Sequence, residues 1–460
     1  MSQALIPAHA LLKRLHFYIG IVIGPFVLVA ALSGVVYALT PQLENYLYQD
    51  ALHTSSTGTP LSLEAQIRAA QSRTGTDVPV TAVRPAPAQG DTTRVMFSAP
   101  GLGASEYRAV FIDPVTAQIR GDMTVYGTSG VLPLRTWLDQ FHRGLMLGDV
   151  GRLYSELAAS WLWVAAVGGL ILWFARRRKR GINASRQRVK GLRQWHATLG
   201  LVLLIGLLFF SATGLTWSKW AGGNIGVLRA QWGWATPSVS TALGTHAMMT
   251  MPMDEHAEHH MMHMTTAQPA TEQPMSLFDD VLKTARAHGI DAAKVEIRPS
   301  SQPDKAWTVT EVDRSWPTQV DAVAIDAHDL RVVDKVEFAS YPLAAKLTRW
   351  GIDAHMGALF GLVNQLVLVA FASGLAVMVV MGYLMWWRRR PTRSMGLNQQ
   401  PTLLDAWRSM TWAGRGLGIA VALLLGMALP VLGWSLLALI AWDMALSASA
   451  ARRLTTHVQP

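Results

Sequence analysis

Leu12-Lys13-Arg14-Leu15-His16-Phe17-Tyr18-Ile19-Gly20 has a counterpart in Leu192-Arg193-Gln194-Trp195-His196-Ala197-Thr198-Leu199-Gly200. Each stretch has a basic entry, a histidine and a glycine four residues on. Each then continues through an apolar run to a Ser/Thr-Gly pair, Ser33-Gly34 and Thr213-Gly214, at matching distances. A second pair of motifs matches as well. His142-Arg143-Gly144 with Gly148 mirrors His355-Met356-Gly357 with Gly361, and Trp137 and Trp350 each stand five residues before their histidine. The pattern predicts an internal duplication whose repeated element is an apolar helix with a histidine at one end.

The 460 residues, half of them hydrophobic, are enough for several domains. The apolar residues concentrate near 15–39, 157–175, 196–217, 362–387 and 415–450, runs that approach or exceed the ~20 residues that cross a bilayer. The first run is too long for a signal-peptide core and lacks a small-residue cleavage pattern. It reads as an uncleaved signal anchor, with the chain starting in the cytoplasm. The net charge of +10 invites a nucleic-acid reading, but the location of the charge argues for membrane lipid instead. Lys13-Arg14, Arg176 to Arg193, Arg388 to Arg393 and Arg452-Arg453 flank the spans. If the spans alternate, all four clusters face one side, as the positive-inside rule requires. The chain contains no cysteine, which removes disulfides, thiolate metal sites, iron–sulfur clusters and cysteine nucleophiles.

The expected fold is an all-α membrane bundle of about six transmembrane helices, internally duplicated, with two periplasmic α+β modules. In order, the expected segments are helix 1 with a cytoplasmic N-terminus (1–39), module 1 (40–140), helix 2 (141–176) and a cytoplasmic basic loop (177–195). Helix 3 (196–217), module 2 (218–350), helix 4 (351–388) and a cytoplasmic loop (389–410) follow. A terminal hairpin (411–450) turning at Leu429-Pro430-Val431-Leu432-Gly433, with arms near 411–429 and 434–450, precedes a cytoplasmic tail (451–460). Within module 1, Leu61 to Arg73 has helical periodicity, 78–84 and 93–98 read as strands, and 107–119 reads as a hairpin turning at Asp113-Pro114. Module 2 repeats that order, with a helix at Leu277 to His288, strands at 293–298 and 306–312, and a hairpin over Val320 to Val333.

Because both copies begin inside and end outside, they are parallel repeats related by an axis along the membrane normal. That axis sets His16 opposite His196 near the cytoplasmic face and His142 opposite His355 near the periplasmic face. Two imidazoles on one iron from opposite sides make six-coordinate haem, suited to electron transfer rather than oxygen chemistry. The expected cofactors are two bis-histidine haems. Gly20 and Gly200 free the backbone for a flat macrocycle, and Gly144/Gly148 and Gly357/Gly361 form small-xxx-small pairs. Asp139 and Asp353 are candidates to fix the outer imidazoles, and Arg143 is a candidate partner for a propionate. His9, His53, His288, His328 and His457 fall in no such pattern.

Between Trp234 and Met275 the chain turns low-complexity. His246, Met248, Met249, Met251, Met253, His256, His259, His260, Met261, Met262, His263 and Met264 crowd into 245–264. Thioether sulfur suits Cu(I) and imidazole suits Cu(II), Zn and Ni, so this insert is a candidate copper-binding segment for sequestration or delivery.

The entry helix with His16, the Phe141-His142-Arg143-Gly144-Leu145 block, Trp195-His196, Ala354-His355-Met356-Gly357 and the Leu-Pro-Val-Leu-Gly hairpin together resemble the PepSY-associated transmembrane family. That family includes iron-regulated membrane proteins and ferric-siderophore reductases. The resemblance covers nearly the whole chain and implies PepSY-like external modules, b-type haem in the bundle and reduction of an iron complex on the outer side. A haem-dependent metal reductase of the bacterial inner membrane is thus expected, with a ferric siderophore as substrate. No Gly-x-Gly-x-x-Gly fingerprint opens a strand–helix unit in the cytoplasmic segments, so the electron donor is a separate protein or a membrane quinol. Two other readings stay open: a periplasmic cupric reductase fed by the Met/His insert, and a non-catalytic membrane regulator.

Overall fold

The computed structural model describes residues 5–180, 191–243, 274–388 and 402–456. The chain divides into two compact units, one of Met1–Val36, Gln140–Ile225 and Leu366–Pro460, the other of Tyr37–Asp139 and Gly226–Gln365.

The first unit is helical. Helix Leu5–Tyr18 runs through a π-helical turn, Ile19–Ile23, into helix Gly24–Ala38. The sequence supplies a cause for this turn. Pro25 has no N–H, which leaves the Ile21 carbonyl four residues back without a helical donor. The Tyr383 hydroxyl donates to that carbonyl at 2.7 Å, so a neighbouring helix satisfies it. Seven residues beyond His196, as Ile23 is beyond His16, the chain breaks at Leu203, where helices Leu192–Val202 and Leu204–Thr216 meet at 61°.

Among the described residues, three helices, Ala8–Ala38, Gly148–Arg177 and Gly361–Arg388, are long and apolar enough to cross a membrane, and the bent pair makes a fourth if counted as one span. Two shorter apolar helices, Trp412–Ala428 and Pro430–Leu446, form the terminal hairpin. Its turn is tighter than the sequence suggested, because Pro430 opens the second arm, where its missing N–H has no cost. Gly426 and Gly433 face each other across it so closely that a Cβ on Gly433 would lie 2.8 Å from the Gly426 Cα. Small residues let other helices approach in the same way. A Cβ on Gly206 would fall 2.0 Å from the Phe371 ring, which is how apolar helices pack without a hydrophobic drive between them.

The second unit holds a single eight-stranded antiparallel sheet. Its strands are β1 (Val80–Arg84), β2 (Thr93–Phe97), β3 (Glu106–Ile112), β4 (Ile119–Tyr126), β5 (Val295–Arg298), β6 (Trp307–Glu311), β7 (Ala322–Ile325) and β8 (Val332–Val336). They lie in the order β4-β3-β2-β1-β5-β6-β7-β8. The strands of both expected modules lie in this one sheet, and residues of both contribute to the core on one of its faces. Alternation explains the packing. Val83, Val95, Phe97 and Val110 join Ile297 and Val309 under helices Leu63–Thr74 and Leu277–Ala287, while Ala82, Met96, Ala109 and Phe111 cluster separately.

Both end hairpins are built alike. Each bulges one residue before its turn, at Phe111/Ile112 and Ala324/Ile325. In each, the leading aspartate accepts a backbone N–H two residues on, Val115 at 2.9 Å from Asp113 and His328 at 2.9 Å from Asp326. Ala117 and Leu330 close the turns with φ of 59° each.

At the seam, β1 meets β5 through Val83 and Ile297. The buried Glu296 carboxylate accepts from Arg84 Nε at 2.6 Å and from Arg298 Nε. The Asp279 carboxylate crosses the same divide, accepting the N–H groups of Leu63 and Glu64 at 2.9 and 3.2 Å. It thereby satisfies the open start of the first module's helix. Burial opposes ionisation of Glu296, but the two guanidiniums outweigh it and hold its carboxyl below the ordinary range. A depressed carboxyl contributes stability that is full above its unfolded value of about 4.3 and is lost as pH falls through the lower folded value. Glu296→Ala takes the shared carboxylate from two half-buried guanidiniums, and we expect it to cost about 3 kcal/mol, the low end for breaking a buried pair. Thermal unfolding of the detergent-solubilised protein checks this, with the deficit shrinking at acid pH.

Candidate functional site

Of the four histidines marked by the sequence, His16 and His196 come together. Their ring centroids lie 6.5 Å apart with planes at 81°. Neighbouring helices hold each ring differently. His196 Nδ1 is 3.0 Å from the Met378 carbonyl. A carbonyl only accepts, so Nδ1 carries the proton and Nε2 keeps its lone pair. His16 leans on helix Gly148–Arg180, where a Cβ on Gly169 would fall 3.3 Å from its Cε1. The Nδ1 of His16 is buried without a hydrogen bond of normal geometry, although the Ala165 carbonyl is a looser polar neighbour of the ring.

The spacing has a chemical reading. An imidazole–metal–imidazole axis takes about 2 Å for each bond and about 1 Å from each nitrogen to its ring centre, which sets the centres roughly 6 Å apart. Among the described residues no group of three or more His, Cys, Asp or Glu is gathered as a bare ion would need. Two imidazoles suffice for a metal whose equatorial ligands come from a macrocycle.

His142 belongs to the first unit and His355 to the second. His142 ends the short helix Pro133–Gly144, and the chain reverses through Leu145, Met146 and Gly148, all at positive φ, into helix Gly148–Arg180. His142 Nδ1 lies 2.8 Å from Ser33 Oγ. The Ser33 hydroxyl donates to the Val29 carbonyl at 2.7 Å, so its oxygen accepts from Nδ1–H of His142. His355 closes helix Leu343–His355, and Gly357 and Gly361, with φ of 75° and 55°, turn the chain into helix Gly361–Arg388. The expected small-xxx-small role of these glycines is therefore replaced, at Gly148, Gly357 and Gly361, by backbone conformations that other residues resist. Asp353, expected to steady the His355 imidazole, is fully buried and held by Arg349 Nε at 3.0 Å, with Arg314 at 3.6 Å. A guanidinium is a stronger partner for a carboxylate than a neutral ring.

Sequence reasoning missed Met378, Tyr383 and Gly169, because nothing in the local pattern shows which helix lies beside which. Ser33 could have been found. It stands 17 residues beyond His16 on one apolar run, about 25 Å at 1.5 Å per residue, which is the far face where His142 belongs. Gly20 opens on space, since a Cβ there meets nothing within 4 Å, whereas Gly200 packs on the Met378 sulfur at 3.3 Å. All twelve Met/His-insert positions, His246 to Met264, lie outside the described residues.

These contacts separate two glycines that look alike in sequence. Gly169→Leu overpacks the His16 ring, at a cost of about 1–3 kcal/mol. Gly20→Ala is neutral or mildly stabilising, since it adds a methyl to open space in a helix. Thermal unfolding of the two variants in detergent checks the contrast.

No curated protein matches the chain. The model of the PepSY-associated TM region matches residues 13–389, a stretch that holds all four histidines, and the chain belongs to that family.

Proposed function

We propose that the protein is an inner-membrane b-type haem protein that moves electrons from the cytoplasmic side or the quinol pool to the periplasm and there reduces the iron of a ferric siderophore. The observation that carries this reading is the His16–His196 pair, whose 6.5 Å spacing suits one metal between two rings. His16 and His196 would hold the inner haem, and His142 and His355 the outer one. Haem so bound supplies a reversible one-electron Fe(III)/Fe(II) couple. The protein's part is to fix the imidazoles. Met378 holds Nδ1–H of His196, which would turn Nε2 to the metal, and Ser33 fixes the His142 ring through Nδ1.

Six spans with large loops outside follow from the basic clusters, which the positive-inside rule draws to the cytoplasmic face. The duplication reading is supported by a constant offset. Asp113 to Asp326, His142 to His355 and Gly148 to Gly361 are all 213 residues apart, while His16 and His196 are 180 apart. The Met/His-rich insert at 245–264 lies between and accounts for part of the difference. The shared sheet, with its two like-built hairpins, is then a pair of PepSY-like modules forming a periplasmic surface for the substrate. Each ferric ion takes one electron from the donor, a quinol or a cytoplasmic reductase, and as Fe(II) it is held less tightly by hard oxygen ligands.

The insert favours a second reading, cupric reduction or copper handling, because it mixes thioether and imidazole in a compartment without thiolate competition. Deleting 246–264 separates the two, leaving ferric reduction intact and lowering cupric reduction only if copper is the substrate. A third reading, a regulator without chemistry, gains weight if the chain carries no haem.

The test is a set of purified histidine variants. His16→Ala and His196→Ala should each lose one low-spin haem, the same one, and His142→Ala and His355→Ala the other. Reduction of a ferric hydroxamate should fall in all four. Full haem content in these variants would contradict the assignment. Ser33→Ala should weaken haem retention at His142 about tenfold, the usual cost of removing such a partner.

A further inference from the structure

The C-terminal hairpin lies beyond the residues that the family model matches, yet it reaches the His16 helix through one buried carboxylate. Asp443, on helix Pro430–Thr456, is almost wholly inaccessible. Its Oδ1 accepts from the Tyr18 hydroxyl and its Oδ2 accepts the Leu403 N–H at 2.7 Å. Arg14 completes the group. Its Nη2 donates to the Tyr18 oxygen at 2.8 Å and lies 3.7 Å from Asp443 Oδ1, while its guanidinium sits 4.7 Å over the Tyr18 ring. Leu403 opens the short helix Leu403–Arg408, whose start is capped by the reciprocal Thr402–Asp405 box. One carboxylate thus joins the entry helix, the short helix and the last helix.

We propose that this hairpin is a brace for the His16 helix, with Asp443 as the positioning residue through which it acts; the proposal rests on the haem reading above. Helical geometry gives the brace its direction. Two residues turn a helix by about 200°, so Tyr18 and His16 point to nearly opposite sides. His16 meets Gly169 on helix Gly148–Arg180 and His196 beyond, and Tyr18 meets the hairpin behind. The brace also sits where it is needed, since the π turn begins at Ile19, directly after Tyr18. A π turn inside an α-helix is rare and frequent at functional sites, and a bond to Asp443 just before it fixes the rotation and the depth of His16. Breaking the bond leaves a carboxylate and a guanidinium partly unpaired inside an apolar bundle, which is strongly disfavoured, so the contact holds the segments together.

The test compares Tyr18→Phe and Asp443→Asn with Ser435→Ala, which removes a different tie of the same hairpin, the 2.8 Å bond from Trp161 Nε1. Haem per chain, low-spin electron paramagnetic resonance signals and midpoint potentials are measured on full-length protein in detergent. We expect Tyr18→Phe and Asp443→Asn to shift the signal and potential of one haem, the one His16→Ala removes. The other haem should stay as in wild type, and Ser435→Ala should leave both unchanged. Asp443→Glu should restore part of the shift. If Asp443→Asn fails to fold, Tyr18→Phe, which removes one hydroxyl, carries the test. Unchanged signals in Tyr18→Phe, or equal shifts of both haems, overturn the brace while leaving the haem reading in place. Wild-type protein without haem overturns both.

Discussion

An imidazole inside an apolar bundle must have its nitrogens accounted for, and this requirement organises the first unit. A polar ring is costly in the membrane unless each nitrogen has a partner. At His196 the Met378 carbonyl takes one N–H, and at His142 the Ser33 oxygen does the same. In both cases the partner comes from a different segment, so the tautomer is set by tertiary packing and not by the local helix. At His196 the atom left over is Nε2, and a ligand for a metal is what such an atom can be.

The surrounding helices are shaped to permit this. Gly168 and Gly169 carry no side chain where His16 lies. Pro25 removes one helical hydrogen bond, and Tyr383 from helix Gly361–Arg388 supplies a replacement donor. The same helix offers Met378 to His196 five residues earlier, so one helix serves both entry helices. In the second unit the logic is electrostatic. Glu296 between Arg84 and Arg298 spans the junction of β1 and β5, and Asp279 caps a helix of the other module. These contacts tie the sheet's two halves together, and the core under helices Leu63–Thr74 and Leu277–Ala287 draws on both.

Much of this was legible in the sequence. The strands and module helices fell close to where alternation and periodicity set them, with helix Leu63–Thr74 and the Asp113 and Asp326 turns as clear cases. The histidine at the end of each repeated motif was visible from spacing alone, and so was the pairing of His16 with His196. Other features were not legible, for reasons of range. A π turn depends on a donor more than 350 residues away in Tyr383, and the fusion of two modules depends on a seam of few pairs. The arginine partners of Asp353 were not legible, because sequence proximity pointed to His355 and gave no sign of Arg314, 39 residues earlier. The positive-φ glycines looked like packing motifs because a small residue serves both ends.

The central claim is that the paired histidines hold haem, and the most direct test is an absorption spectrum of the detergent-purified chain. It would be recorded oxidised and dithionite-reduced, with haem quantified per chain and the cells given ample haem. The account predicts sharp low-spin b-type bands at about two haems per chain, as bis-imidazole ligation at two sites requires. A colourless protein would contradict it.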